Sequence, residues 1–159
     1  MSTFTFLKTL SMKNLFEPET RKEVLERLEK ITPEAKAHWG KMTVDQMLWH
    51  CNRTMSYAMG EYSVPYRGNF FMKLLFKKMI LGKMEFPKGK SDTITEWRAD
   101  DHYDIENEKK RIREYIDRYS KSKDKMEWPH SPLLGKYTGE NWARIDYKHI
   151  DHHFKQFGV

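Results

Sequence analysis

Apolar residues recur along this chain at intervals of three and four, the period of a helix with one face turned inward. From Pro18 to Ile31, PETRKEVLERLEKI, the residues Val24, Leu25, Leu28 and Ile31 form such a stripe behind an acidic first turn. Thr32-Pro33 then predicts a short helical restart. Thr43 and Gln46 have the spacing of a capping box and open a helix to Met59, in which Val44, Met47, Leu48, Cys51, Met55 and Ala58 share a broad face. Phe70 to Leu81 is a very apolar, lysine-studded helix pattern. Gly82 to Asp100 has no period, which predicts a loop with a short extended piece at TITEW. Ala99 to Tyr119 is helical again, with Tyr103, Ile105, Ile112, Tyr115, Ile116 and Tyr119 set among charges that can pair along the surface. Thr138 caps a last helix running to Phe157, and Gly158 closes it. Four long helices with short accessory ones and no run of strands predict the all-α class and an up-and-down four-helix bundle.

Length adds that the 159 residues form one domain, 1–159, able to bury a core without disulfides. The lone Cys51 has no partner in the chain, and the first residues lack the apolar run of a secretory leader, so a cytoplasmic protein without an integral membrane segment is expected. The net charge of +6 is concentrated: between Arg67 and Lys90 seven basic residues face the single acid Glu85, which is the whole surplus. With no helix-turn-helix, zinc-finger spacing or aromatic RNA motif beside it, that charge does not predict nucleic-acid binding. It allows two other uses. Lysines at 73, 77, 78 and 83 among aromatic and aliphatic residues are the pattern of a helix lying on an anionic membrane, the alternative being a packing helix with a cationic rim. Alternatively Arg67 and Lys73 receive an anionic cofactor or substrate.

Candidate chemistry concentrates near the end of the chain, where HIDHHFKQF carries three histidines in five positions. A helix advances about 100° per residue, which puts Trp142 at about +20°, His153 at about +40°, Phe157 at about +80° and Ile145 at about −40° when His149 is set at zero. His149 and His153 therefore fall in the core-facing stripe, with Gln156 beside them and His152 toward its border. Buried imidazoles need partners, and a shared metal ion, core hydrogen bonds or a merely superficial position all fit an i, i+4 pair. Of the other histidines, His38, His102 and His130 sit at helix ends or in a loop. His50 lies mid-helix at the shoulder of the apolar face, beside Thr54 and Tyr57, where it either borders a pocket or is half-exposed.

Cys51 adjoins His50, but neighbours on a helix point about 100° apart, so a small core residue is the better account than a Cys–His nucleophile. Asp100, Asp101, Asp104 and Glu106 form an acidic cluster at a helix start, where acids favour the dipole. Asp146, one turn before His149, could orient that imidazole or simply be solvated.

The stretch MTVDQMLWHCNRTMSYA, followed about ninety residues later by YTGENWARIDYKHIDHHFKQFGV, resembles the DinB/YfiT-like superfamily of DinB-like metalloenzymes, in a branch of uncharacterised DinB-related domains. NLFEPETRKEVLERLEKITPEAKAHWGK and FPKGK resemble that branch too, so the likeness runs from about Asn14 to Val159. Its most specific part is H-x-x-x-H-x-x-Q, matched by His149, His153 and Gln156. The resemblance implies a four-helix bundle of DinB type whose divalent metal, zinc or nickel, is held by His50 from the second long helix and His149 and His153 from the last. Gln156 would hold an imidazole in place, and the role of His152 stays open between surface, support and substitute ligand. It further implies a thiol-dependent transferase of the bacillithiol or mycothiol type, or a hydrolase, acting on a small-molecule substrate with a low-molecular-weight thiol, and a homodimer. A non-catalytic metal- or ligand-binding bundle and a membrane-surface protein using residues 70–83 are the alternatives.

Overall fold

A computed structural model describes residues 12–82, 84–89 and 94–159, apart from the side chains of residues 72, 75, 76 and 78–80. Lys83, Lys90 and Thr93, the first residue of TITEW, part of the expectations above, lie outside the described residues, as does the side chain of Lys78. Among the described residues the protein is all-helical, with no strand: α1 Pro18–Glu29, α2 Val44–Ala58, α3 Phe70–Leu81, α4 Ile105–Lys121 and α5 Gly139–Gln156, plus one 3-10 turn at Thr95–Trp97.

The helix ends follow from local chemistry. At α5, Thr138 Oγ1 accepts from Asn141 N–H at 3.2 Å while Asn141 Oδ1 accepts from Thr138 N–H at 3.1 Å, satisfying two amides that the first turn leaves without partners. At α2 the Gln46 side chain accepts from Thr43 N–H at 3.2 Å, as the capping box predicts. At α4 the cap is Asp104, whose carboxylate accepts from Asn107 N–H at 2.7 Å. The helix therefore starts at Ile105 rather than Ala99, and Asp100 and Asp101 stand outside it. Thr32-Pro33 makes a turn and no helix. The described part of TITEW is coiled rather than extended, because Trp97 N–H and Arg98 N–H bond to Ile94 O and Thr95 O at 3.0 and 3.1 Å.

α1, α2, α4 and α5 share a core of fully buried side chains that includes Val24, Leu28, Met47, Leu48, Met55, Ile112, Ile116, Ile150 and Phe154. Each of α1 and α2 packs on both α4 and α5. Strict up-and-down alternation, expected above, is not what the chain does. Asn52 meets Glu108 and Tyr115 meets Glu61, so α2 and α4 run the same way. Leu15 N–H bonds to Ala143 O, and Arg27 reaches Asp151 and the Val159 carbonyl, so α1 and α5 also run together, opposite to the first pair. The physical reason is the long connection from Met59 to Asp104, which carries α3 and returns the chain to the end where α2 began. α3 packs on the outside, against α5.

Burial separates the two kinds of leucine in this fold. Leu28→Ala in α1 empties a fully buried site and should cost about 2–5 kcal/mol in urea unfolding. Leu74→Ala in α3, at a site 73% exposed, should stay within about 0.5 kcal/mol of the parent.

Candidate metal centre

Because α2 and α5 run antiparallel, His50 on one faces His149 and His153 on the other, one helical turn apart. His50 Nε2 lies 2.9 Å from His149 Nε2, and His153 Nε2 lies 3.1 Å from it. One nitrogen from each of the three falls within 4.8 Å of the others. His50 and His153 are 5% and 7% exposed; His149 keeps partial access.

The opposite nitrogen of each ring is anchored. His50 Nδ1 is 2.6 Å from the Trp97 carbonyl, which can only accept, so the proton of neutral His50 is on Nδ1. Gln156 donates from Nε2 to the Trp39 carbonyl at 2.6 Å, which turns its Oε1 toward His153 Nδ1 at 2.8 Å. Thr54 donates its hydroxyl to the Cys51 carbonyl at 2.9 Å and offers a lone pair to His149 Nδ1 at 3.2 Å. With all three Nδ1 protons committed outward, three Nε2 lone pairs point at one another.

A positive charge placed among the lone pairs would relieve this arrangement. A proton is a poor choice. Burial, helped by the charge each ring would feel from the others, holds His149 well below the ordinary imidazole range and His153 down at about 3. Burial also lowers His50, the Trp97 carbonyl opposing. A divalent cation suits the donor set: three neutral imidazoles, each fixed in tautomer and orientation by an oxygen behind it. These residues could hold such an ion.

The supports were only partly visible in the sequence. Gln156, expected beside His153, is there and 2% exposed. Gly40 was missed: its φ is +79°, and a Cβ there would lie 2.6 Å from the Gln156 amide nitrogen, so glycine leaves the passage by which Gln156 reaches Trp39. The backbone oxygens of Trp39 and Trp97 carry no side-chain signature. Thr54, one turn after His50, had a helical-spacing signal.

Other expected residues fall elsewhere. Asp146 does not orient His149; it is buried, accepts from the Tyr119 hydroxyl at 2.5 Å, and burial raises its carboxyl to about 7. Cys51 is wholly buried with its thiol pushed up by burial, a core residue. His152 is half-buried rather than superficial, edge-on to both Trp39 and Phe86 at 5.6 and 5.8 Å. Arg67 pairs with Glu96 at 2.5 Å on the turn that holds His50, and Lys73 lies over the Tyr66 ring at 5.2 Å. Neither has a contact with the three histidines among the interactions of the described residues.

A groove of about 360 Å³ runs along the outer flank of α5, lined by Trp39, Phe86, Lys88, Tyr147, Lys148 and His152 among others. Among the described residues it approaches the centre through His152, whose ring is 5.1 Å from that of His153, through Phe86, 6.4 Å from His149, and through Trp39, whose carbonyl holds Gln156.

Fold and site thus define an all-helical bundle with a buried three-histidine cluster. The chain belongs to the DUF1569 family, a family of proteins of unknown function, whose profile matches residues 10–158. No curated protein and no solved structure matches it.

The lowered histidines imply a pH dependence of known sign. Below pH 6.5 unfolded His50 and His153 take up protons that the folded, metal-free protein refuses, so stability is full above that pH and falls as the pH drops. Asp146 acts oppositely, since its folded carboxyl keeps a proton up to about pH 7 that the unfolded one has lost. Urea unfolding of chelator-treated protein between pH 5 and 6.5 should show stability rising with pH, by up to about 1.4 kcal/mol per unit for each histidine, and Asp146→Asn should steepen the rise.

Proposed function

We propose that this protein is a divalent-metal-dependent enzyme of DinB-like type, with His50, His149 and His153 as ligands. It would act on a small molecule by thiol-dependent group transfer or by hydrolysis. The observation that carries this reading is the convergence of one ring nitrogen from each of the three histidines within 4.8 Å, with every Nδ1 already engaged by an oxygen. A purely structural histidine cluster would interleave donors with acceptors, and this one opposes acceptor to acceptor. Packing of four helices on one core and the match of His149, His153 and Gln156 to H-x-x-x-H-x-x-Q support the DinB-like assignment.

Zinc and nickel both suit three imidazoles. Either ion supplies Lewis acidity that lets a thiol or a water give up its proton near neutral pH. The chain's own residues do the rest. Trp97, Thr54 and Gln156 hold the rings, leaving little reorganisation for binding. Phe86 stands edge-on against His149 and limits water on that side. The groove beyond it joins Trp39, Phe86 and Tyr147 with Lys88 and Lys148, while Lys13, Arg144 and Lys155 there are ion-paired with Glu23, with Glu140 and with Glu85 and Asp151. That balance favours an anionic molecule with an apolar body, and a low-molecular-weight thiol bearing carboxylates meets the description.

Protein purified without chelators should contain about one divalent ion per chain by elemental analysis, in line with a single three-imidazole site. His50→Ala and His153→Ala should lose it, and His152→Ala should keep it. Retention of a full equivalent by either of the first two would sink the ligand set. Gln156→Leu should retain the fold and bind the ion about 10–100-fold more weakly, measured by competition with a chromogenic chelator. Metal-loaded protein assayed with low-molecular-weight thiols and a panel of electrophiles and esters should turn over. A loaded but inert protein would instead be a metal-binding bundle without catalysis.

A further inference from the structure

The exposed face of α3 has no role in the metal centre. Phe70, Phe71 and Leu74 are 74%, 79% and 73% exposed, and Tyr66, just before the helix, is 50% exposed. On the helical wheel Phe70, Leu74 and Phe71 span about 100°, and Lys77 and Lys73 follow directly at about −20° and −60° from Phe70. Lys73 Nζ sits 5.2 Å over the Tyr66 ring, tying the aromatic and cationic parts into one surface. Large apolar side chains grouped in this way on a protein surface mark an interaction site, whereas scattered ones need no explanation.

Charge selects the partner. The protein's whole net charge of +6 equals the surplus between Arg67 and Lys90, the stretch that includes this helix. A second copy of the chain meeting the first by two-fold symmetry would bring Lys73 and Lys77 toward their own counterparts, which repel. An anionic bilayer complements the lysines and accepts the rings at the same time, as surface-lying amphipathic helices do. Among the described residues no helix is long and apolar enough to cross a membrane, so the contact is in-plane. We propose that α3 docks the protein on an anionic lipid surface, Phe70, Phe71 and Leu74 entering the headgroup boundary and Lys73 and Lys77 pairing with lipid phosphates and carboxylates.

The test is co-sedimentation of the full chain with vesicles. Binding to phosphatidylcholine vesicles that contain phosphatidylserine, weakening as salt is raised, and no binding to pure phosphatidylcholine are expected. Since each basic residue near an anionic leaflet is worth about fivefold in partitioning, Lys73→Ala with Lys77→Ala should weaken binding about 30-fold. Phe70→Ser with Phe71→Ser should abolish it. Both double variants should keep the parent's circular dichroism and metal content, because neither touches the core or the histidines. No partitioning at low salt overturns the proposal. So does binding that the four substitutions leave unchanged, or a concentration-dependent dimer that Phe70→Ser with Phe71→Ser dissolves without any vesicle binding by the parent.

Discussion

Everything at the centre depends on where three protons sit. Each imidazole has one to place, and in each the Nδ1 side meets an oxygen that accepts: a backbone carbonyl for His50, a hydroxyl already donating elsewhere for His149, and an amide oxygen oriented by Trp39 for His153. Those three hydrogen bonds leave acceptors aimed at acceptors 2.9 and 3.1 Å apart. Burial removes the easiest relief, since an imidazolium there would lose its water. The oxygens behind the rings thus decide that the space between them suits a cation of higher charge.

The helix directions put the rings there. Had the chain alternated simply up and down, α2 and α4 would be antiparallel. Instead the return carrying α3 lets them run together, and α5 comes back antiparallel to α2 with Trp142 against Tyr57 and His153 against His50. The same return contributes working parts: the Thr95–Trp97 turn brings the carbonyl that holds His50, and Phe86 covers His149. A segment without periodicity in the sequence therefore supplies both a hydrogen-bond acceptor and a wall.

Periodicity made the helices legible, because an inward stripe of Val24, Leu28 and Ile31 or of Met47, Cys51 and Met55 leaves a three-and-four spacing whatever the tertiary detail. It made the 149/153 pair legible for the same reason. His50 was ambiguous on the wheel, since a shoulder position is settled by what packs over it, here the Thr95–Trp97 turn. That turn was expected to be extended, and three residues whose bonds are all local hold little signal against a strand pattern of equal length. Helix direction was illegible too, being set by long connections. The supports of the site divide by atom type: Gln156 and Thr54 act through side chains and could be suspected from spacing, whereas Trp39 and Trp97 act through carbonyls that every residue owns.

The ligands come from places far apart in the chain, with 99 positions separating His50 from His149. An ion held by all three would therefore close a long covalent loop and act as a reversible clasp between the second helix and the last, most effective against a loosened state with much freedom to lose. Until the final helix is made and docked, the chain can present only one of the three nitrogens. Capture of an ion by the three would then come as the closing event of assembly, and it could not serve as the seed.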